Sequence, residues 1–483
     1  MNPDLSIEFC GVKAPNPFWL ASAPPTNSAY QVRRAFEAGW GGAVWKTLNH
    51  EPIVNVSSRY GAVDYDGRKV MGLNNIELIT DRTLDVNLDE IRLIKKEFPN
   101  HAVFVSLMVE SKRETWHDIV KRTEDTGADG LELNFGCPHG MSERGMGAAV
   151  GQVPEYTEMI TSWVKEAART PVIVKLTPNV TDVRAIARAA QQGGADAVSL
   201  INTINSIMGI DLDTYAPRPQ VAGRGSHGGY CGPAVKPIAL NMVSSIAGDP
   251  DFKIPISGIG GIQAWQDAVE FMLLGAGSVQ VCTSVMHYGF RIVEHMISGM
   301  KNWMREKNFH TPADFIGKST DRIVDWGDLD LGYKVVAEID QAKCIHCGLC
   351  YIACEDGCHQ SIKWEKLSEP EFFDQYGVAP ATEQPGTPGA GNGNGRRLVN
   401  PNMLVSKSGD VEVLPGAGDG YVGVFTINQD TCVGCNMCSL VCPVDACIDM
   451  KPVDGSIPSV TWKEYQAKLA AGEMGKIEPP EHV

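Results

Sequence analysis

No stretch of about 18 apolar residues occurs in the 483-residue chain, so no segment is long enough to span a bilayer as a helix. Basic residues are outnumbered: 42 Lys and Arg face 58 Asp and Glu, a net charge of −16. That balance excludes non-specific binding to nucleic acid or to an anionic membrane, both of which need clustered cations. The N-terminus, Met1-Asn-Pro-Asp-Leu-Ser6, has neither a basic region nor an apolar run. No secretory signal is therefore expected, and the cytoplasm is the expected compartment. A G-x-G-x-x-G fingerprint that follows a strand and opens a helix is also missing. The run Gly389-Ala-Gly-Asn-Gly-Asn-Gly395 has neither that spacing nor that context. No nicotinamide dinucleotide site is expected on this chain.

What the chain does have is cysteine, fourteen in all, ten of them beyond residue 340. Disulfides are rare in the cytoplasm, and the spacing here is that of metal ligands. Cys344-x₂-Cys347-x₂-Cys350-x₃-Cys354 is followed by Cys432-x₂-Cys435-x₂-Cys438-x₃-Cys442-Pro443. This is the bacterial ferredoxin spacing for two [4Fe–4S] clusters, in which the fourth cysteine of each run serves the other cluster. Cys344, Cys347, Cys350 and Cys442 are then one ligand set, and Cys432, Cys435, Cys438 and Cys354 the other. Cys358 and Cys447 are left over and are expected to pack. Between the runs lies a segment dense in glycine and proline, about 366–425, expected to have little core of its own.

The chain before residue 318 reads differently. Eight apolar runs recur, each ending in a small or polar residue and leading into a helical pattern: Phe18–Ser22, Ala43–Thr47, Val103–Leu107, Leu131–Asn134, Val172–Thr177, Ala197–Thr203, Ile254–Gly258 and Ser278–Thr283. Helical stretches such as Gln31–Ala38, Asp182–Gln191 and Ala264–Leu274 lie between them, closing on Gly39, Gly193 and Gly275. Eight strands alternating with helices predict a (β/α)₈ barrel, with a doubly wound open sheet as the alternative. The expected division is a barrel over 1–317, a linker over 318–335 and a two-cluster ferredoxin-like domain over 336–483.

In a barrel, chemistry collects at the carboxyl ends of the strands. Those ends carry Ser22, Lys46, Thr47, Asn134, Lys175, Asn202, Thr203, Gly258 and Thr283, more polar and cationic groups than a plain core supplies. The glycines Gly258, Gly260 and Gly261, with Cys282-Thr283-Ser284 after the last strand, suit a phosphate site built from backbone N–H groups. The fourth strand runs on through Gly136 into Cys137 and a segment with further glycines at 140, 145 and 147. A thiol on such a segment is expected to move with a lid and to give or take a proton.

Barrel, strand-end lysines, loop cysteine and twin cluster runs together resemble the dihydropyrimidine dehydrogenase family, and within it the bacterial NAD-dependent FMN and iron–sulfur subunit. The resemblance covers nearly the whole chain. It rests on Leu20-Ala21-Ser22-Ala23, Asn75-Ile-Glu-Leu78, Asn134 to Gly147, Lys175-Leu-Thr-Pro-Asn-Val180, Asn202-Thr203 and the two cluster runs. It implies a barrel that binds FMN through Ala21, Ser22, Lys46, Thr47, Lys175, Gly258, Gly260, Gly261, Cys282 and Thr283. It implies further that Asn75, Asn134, Asn202 and Thr203 hold the pyrimidine, and that Cys137 exchanges the proton at ring carbon 5. The implied reaction is reversible reduction of uracil and thymine. Electrons pass through the clusters from a partner subunit that carries FAD and an NAD(P)H site, in a heterotetramer.

Two departures stand out. Gly136 occupies the place of a usual serine, and the glycine-rich insertion is not part of the family pattern. The related dihydroorotate dehydrogenases typically read Cys-Pro-Asn where this chain reads Cys137-Pro-His139. A dihydroorotate-oxidising flavoenzyme and a non-catalytic electron-transfer subunit are the alternative readings.

Overall fold

The computed structural model describes residues 2–65, 68–137, 145–380, 403–405, 411–413, 421–455 and 457–477. The chain divides into two compact units, Met1–Ile323 and Val324–Val483.

The first unit is a closed parallel barrel of eight strands. In chain order these are β1 Phe18–Leu20, β2 Gly42–Leu48, β3 Ala102–Leu107 and β4 Gly130–Asn134. They are followed by β5 Val172–Lys175, β6 Ala197–Leu200, β7 Ile256–Ile259 and β8 Ala276–Val281. All eight expected runs are barrel strands, and the open-sheet alternative is excluded by closure of β8 onto β1. Both faces of each strand are buried, which is why the runs are nearly continuous in apolar residues.

The helices form where apolar residues fall on one stripe. Ala29–Ala38 buries Ala29, Val32, Ala35 and Phe36, with the Ser28 hydroxyl accepting from the Gln31 N–H at its start. Val183–Gln192 ends one residue later than its glycine suggested. Gly193 stays right-handed at φ −69°, and Gly194, at φ +90°, makes the left-handed turn.

The barrel interior is sorted by polarity along its axis. At the end where the strands begin, a short hairpin, Ile7–Phe9 paired with Val12–Ala14, plugs the bottom. There Phe9 meets Trp19 edge to face at 5.6 Å between ring centroids and Trp19 stacks on Phe104 at 5.4 Å, packed with Val44, Ile173 and Ala197. Towards the carboxyl ends the buried residues become polar: Glu132, Ser199, Ser257, Ser278 and Gln280. Register places Asn134 beside Lys175, Lys175 beside Ser199, and Ser199 beside Ser257. The apolar plug closes one end, so ligands enter at the other.

A four-stranded antiparallel sheet stands at that open end, in the order Ile204–Ser206, Gly228–Cys231, Arg68–Asn75, Tyr60–Tyr65. Its strands come from the β2–β3 and β6–β7 connections and carry Tyr60, Asn75, Tyr230 and Cys231. No local alternation in the sequence announces it.

The second unit pairs Lys334–Ile339 with Ile448–Val453, and Ile362–Ser368 with Tyr421–Ile427, both antiparallel. Two short helices, Leu349–Glu355 and Met437–Val441, bear cysteines of the two runs. The insertion is expected to have little core of its own. At its base, however, Phe372, Val422 and Val424 pack with Leu367, Tyr376 and Val378, because the strands flanking it pair and fold a helix, Glu369–Tyr376, against them. Most of its glycine-rich centre lies outside the described residues. Among the described residues, no helix is long and apolar enough to cross a membrane.

Candidate active site

The open end of the barrel holds a cleft of about 1100 Å³, part of it open to solvent. Of the fifteen barrel residues expected to act, fourteen line it; Gly258 does not. Instead, a side chain at 258 would meet the Phe271 ring at 2.6 Å, so its glycine serves the packing of helix Trp265–Leu273 on β7.

Two lysines are buried in the wall, each facing a carboxylate. Lys46, at the end of β2, pairs with Glu77. Lys175, at the end of β5, has its Nζ 3.6 Å from Glu132 Oε1. Glu77 also takes the Tyr60 hydroxyl as donor and lies 3.4 Å from the Arg59 guanidinium. Burial, and then the Glu77 carboxylate, push the Tyr60 hydroxyl well above the usual phenol range. The Glu132 carboxylate accepts from Ser199 Oγ at 2.9 Å and from Gln280 Nε2 at 3.0 Å. Gln280 Oε1 remains buried without a hydrogen-bond partner.

A row of neutral polar groups occupies the same cleft. Asn134 Nδ2 donates to Thr47 Oγ1 at 3.1 Å, and Asn202 Nδ2 donates to Asn134 Oδ1 at 3.0 Å. Thr47 Oγ1 in turn bonds Ser22 Oγ at 3.2 Å and Ser106 Oγ at 2.9 Å. The Thr203 N–H is held by Asn202 Oδ1, and Asn75 Nδ2 donates to the Gly229 carbonyl across the sheet. Cys137 sits at the end of β4, buried beside Ile79, Met108 and Met146. Its carbonyl accepts from the Ala148 N–H at 3.1 Å. Gly147 makes that approach at φ +58°, where a Cβ would come within 2.9 Å of the same carbonyl. Of the lid expected over Gly136–Gly147, residues 138–144 lie outside the described residues.

The departure at Gly136 has a structural meaning. A Cβ there would lie 2.5 Å from Asn202 Cβ and 2.6 Å from its Nδ2. Gly136→Ala is expected to displace the Asn202 amide at a cost of about 1–3 kcal/mol, as overpacking of a close-fitted site does. Steady-state kinetics should show this as a raised KM with the flavin still bound.

The remaining expected residues line the same cleft. Ala21, Gly260, Gly261, Cys282 and Thr283 line it together, with Gly260 and Gly261 left-handed at φ +131° and +75°. Thr283 Oγ1 donates to Cys231 Sγ at 3.2 Å, and burial pushes the Cys231 and Cys282 thiols up to about 11 and about 12. FMN fits this lining. The glycine corner offers backbone to a phosphate. The two lysine ammonium groups supply cations, and Gln280 Oε1 is a buried acceptor suited to an imide N–H.

In the second unit the cysteines fall into two groups that cross between the runs. The neighbours of Cys350 are Cys344, Cys347, Cys438 and Cys442, and burial with these sulfurs pushes its thiol up. Those of Cys438, besides Cys350, are Cys435, Cys432 and Cys354, and burial above all pushes its thiol up to about 11. Cys354, Cys432, Cys435 and Cys438 surround a cavity of about 360 Å³. Among the described residues, no three such groups converge on the point a single metal ion would occupy. A four-iron cluster asks for the other arrangement, one sulfur per iron around a cavity.

Sequence reasoning left out Glu77, Glu132 and Gln280. The last two had a readable signal, since each interrupts an apolar strand at an interior position. Tyr60 and Tyr230 had none, because a long-range sheet brings them to the cleft.

A closed barrel with a polar, lysine-bearing mouth, joined to a unit with two crossed cysteine sets, defines a flavin and iron–sulfur oxidoreductase. The chain belongs to the dihydroorotate dehydrogenase family, whose model matches residues 4–304, and within it to the dihydropyrimidine dehydrogenases; a 4Fe-4S dicluster domain model matches residues 343–446. It is 41% identical over 372 residues to the NAD-dependent dihydropyrimidine dehydrogenase subunit PreA of Escherichia coli (strain K12), covering 77% of this chain and 90% of the relative. Identity to the chloroplastic dihydropyrimidine dehydrogenase (NADP(+)) of Arabidopsis thaliana is 41% over 352 residues, 71% of this chain and 83% of that one. The catalytic subunit of dihydroorotate dehydrogenase B (NAD(+)) from Pyrococcus abyssi is 38% identical over 319 residues, covering 65% and 98%.

Proposed function

We propose that this chain reversibly reduces uracil and thymine to their 5,6-dihydro forms, with Cys137 moving the proton at ring carbon 5. The observation that carries this reading is the shared cleft. Neutral amides of Asn75, Asn134 and Asn202, the Thr203 hydroxyl and the Cys137 thiol line one cavity. Amides pair with the alternating N–H and C=O groups of a pyrimidine without placing charge against it. Among the described lining residues the cations are Lys46 and Lys175, and each already faces a carboxylate. An orotate carboxylate would find no unengaged ammonium there, which favours the uncharged bases over dihydroorotate.

The cofactor site is assigned to Ala21, Ser22, Lys46, Thr47, Lys175, Gly260, Gly261, Cys282 and Thr283, with Gly258 supporting it from behind. FMN bound there supplies the two-electron hydride chemistry that ring carbon 6 requires. The chain's own groups do the rest. Lys175 and Lys46 bring positive charge to the barrel mouth, Glu132 and Glu77 fix them, and Cys137 holds a proton. The eight run cysteines hold two [4Fe–4S] clusters, a one-electron store. Electrons are received from a partner subunit carrying FAD and an NAD(P)H site, in a heterotetramer. The working division is a barrel over 1–317, a linker over 318–335 and a cluster domain over 336–483. Thiolate ligand sets of this kind belong in a reducing compartment, here the cytoplasm.

The test is anaerobic. Dihydrouracil and dihydrothymine are expected to bleach the flavin absorbance of the purified chain, and dihydroorotate to leave it oxidised. Fast bleaching by dihydroorotate alone would replace this reading with the dihydroorotate-oxidising one.

A further inference from the structure

The cavity that the second cysteine set surrounds has a fifth sulfur in its wall. Cys358 lines it with Cys354, Cys432, Cys435 and Cys438. It stands just past helix Leu349–Glu355, with its N–H donating to the Cys354 carbonyl at 3.2 Å. Of the neighbouring thiols, that of Cys435 bears on it most. Five cysteines thus line one cavity, with Cys358 and Cys435 as neighbours in its wall. The four-iron cluster needs one sulfur for each iron, so this cavity has one to spare. Cys435 is also an exposed cysteine, whereas Cys354 and Cys438 are buried. The ligand most open to alkylation or oxidation is therefore the one with a neighbour able to replace it.

We propose that Cys358 is an alternative ligand of the second [4Fe–4S] cluster, taking the iron that Cys435 holds when Cys435 is lost. This rests on the cluster reading above. In the exchange the iron–sulfur bond to Cys435 breaks and one to Cys358 forms. The proton of the Cys358 thiol passes to the departing Cys435 sulfur, so the exchange balances. Iron and sulfide keep their oxidation states, so no oxidant or reductant is needed. Nothing comparable is built beside the first set. There the extra cysteine, Cys447, donates its thiol to the Asp340 carbonyl at 3.7 Å and neighbours both Cys344 and Cys442, instead of standing beside one ligand.

Iron and sulfide analysis with electron paramagnetic resonance of the reduced, anaerobically purified full chain tests this. Cys435→Ala should keep two clusters' worth of iron while the second cluster's signal shifts. Cys358→Ala should keep both clusters with signals unchanged, and the double variant should lose one cluster's iron. Loss of the same iron from Cys435→Ala alone overturns the proposal. If that variant fails to accumulate, brief iodoacetamide treatment of the unsubstituted chain answers the same question by mass spectrometry. Alkylated Cys435 in chains that retain both clusters supports the exchange, and alkylation confined to Cys358 overturns it. An unsubstituted chain without cluster iron would sink the cluster reading itself, a distinct result.

Discussion

Cys137→Ala is expected to keep its flavin and bind pyrimidine while losing about 10²–10⁴ in kcat, the usual worth of a positioned acid–base group. The thiol sits at the end of β4, three residues past Asn134, in the cleft that Asn75 and Asn202 also line. An unperturbed thiol has a pKa near ~8.5 and is mostly protonated at neutral pH, as an acid for ring carbon 5 must be. Cys137→Ser should recover little, because an alkyl hydroxyl is a far weaker acid. Stopped-flow flavin reoxidation by uracil separates this from a binding defect: the rate falls while the substrate concentration for half-saturation holds. Turnover within a few-fold of the unsubstituted chain would make Cys137 a packing residue among Ile79, Met108 and Met146.

The second large effect concerns the electron source. Purified alone, the chain should reduce pyrimidines with an artificial low-potential donor and give no measurable rate with NADH or NADPH. The reason is compositional: two cluster sets and a flavin-type barrel, with no dinucleotide fingerprint in 483 residues. Adding an FAD-bearing partner should restore NAD(P)H-driven turnover. Cys438→Ala, which removes a buried cysteine of the second run, should then abolish that turnover. Direct flavin bleaching by dihydrouracil should persist, since the barrel is a compact unit of its own. Brisk NADH oxidation by the isolated chain would overturn this division of labour.

Much of this was written locally in the chain. The eight barrel strands were legible because strands buried on both faces leave continuous apolar runs, and their polar terminators, Lys46, Asn134, Lys175 and Asn202, mark where each run leaves the core. The cysteine runs were legible because ligand spacing is itself a local property. A strand-end glycine such as Gly258 reads alike whether it makes room for a phosphate or for a ring, and here a Cβ would meet the Phe271 ring at 2.6 Å.

What the sequence by itself determined, then, is which residues stand at strand ends and which sulfurs come in sets. The tertiary structure decided which of them meet. Tyr60 and Tyr230 reach the cleft through a sheet joining segments more than 130 residues apart. Glu132 was revealed as the partner of Lys175 by the pairing of β4 with β5, and Glu77 as the partner of Lys46 by the β2–β3 connection that returns it to the barrel mouth. Gly136 became a constraint on Asn202, and Cys358 a neighbour of Cys435, in the same way. The physical reason is common to all four. Local patterns report a residue's own backbone state and burial, whereas a pairing between distant segments depends on register and packing, which no short window contains.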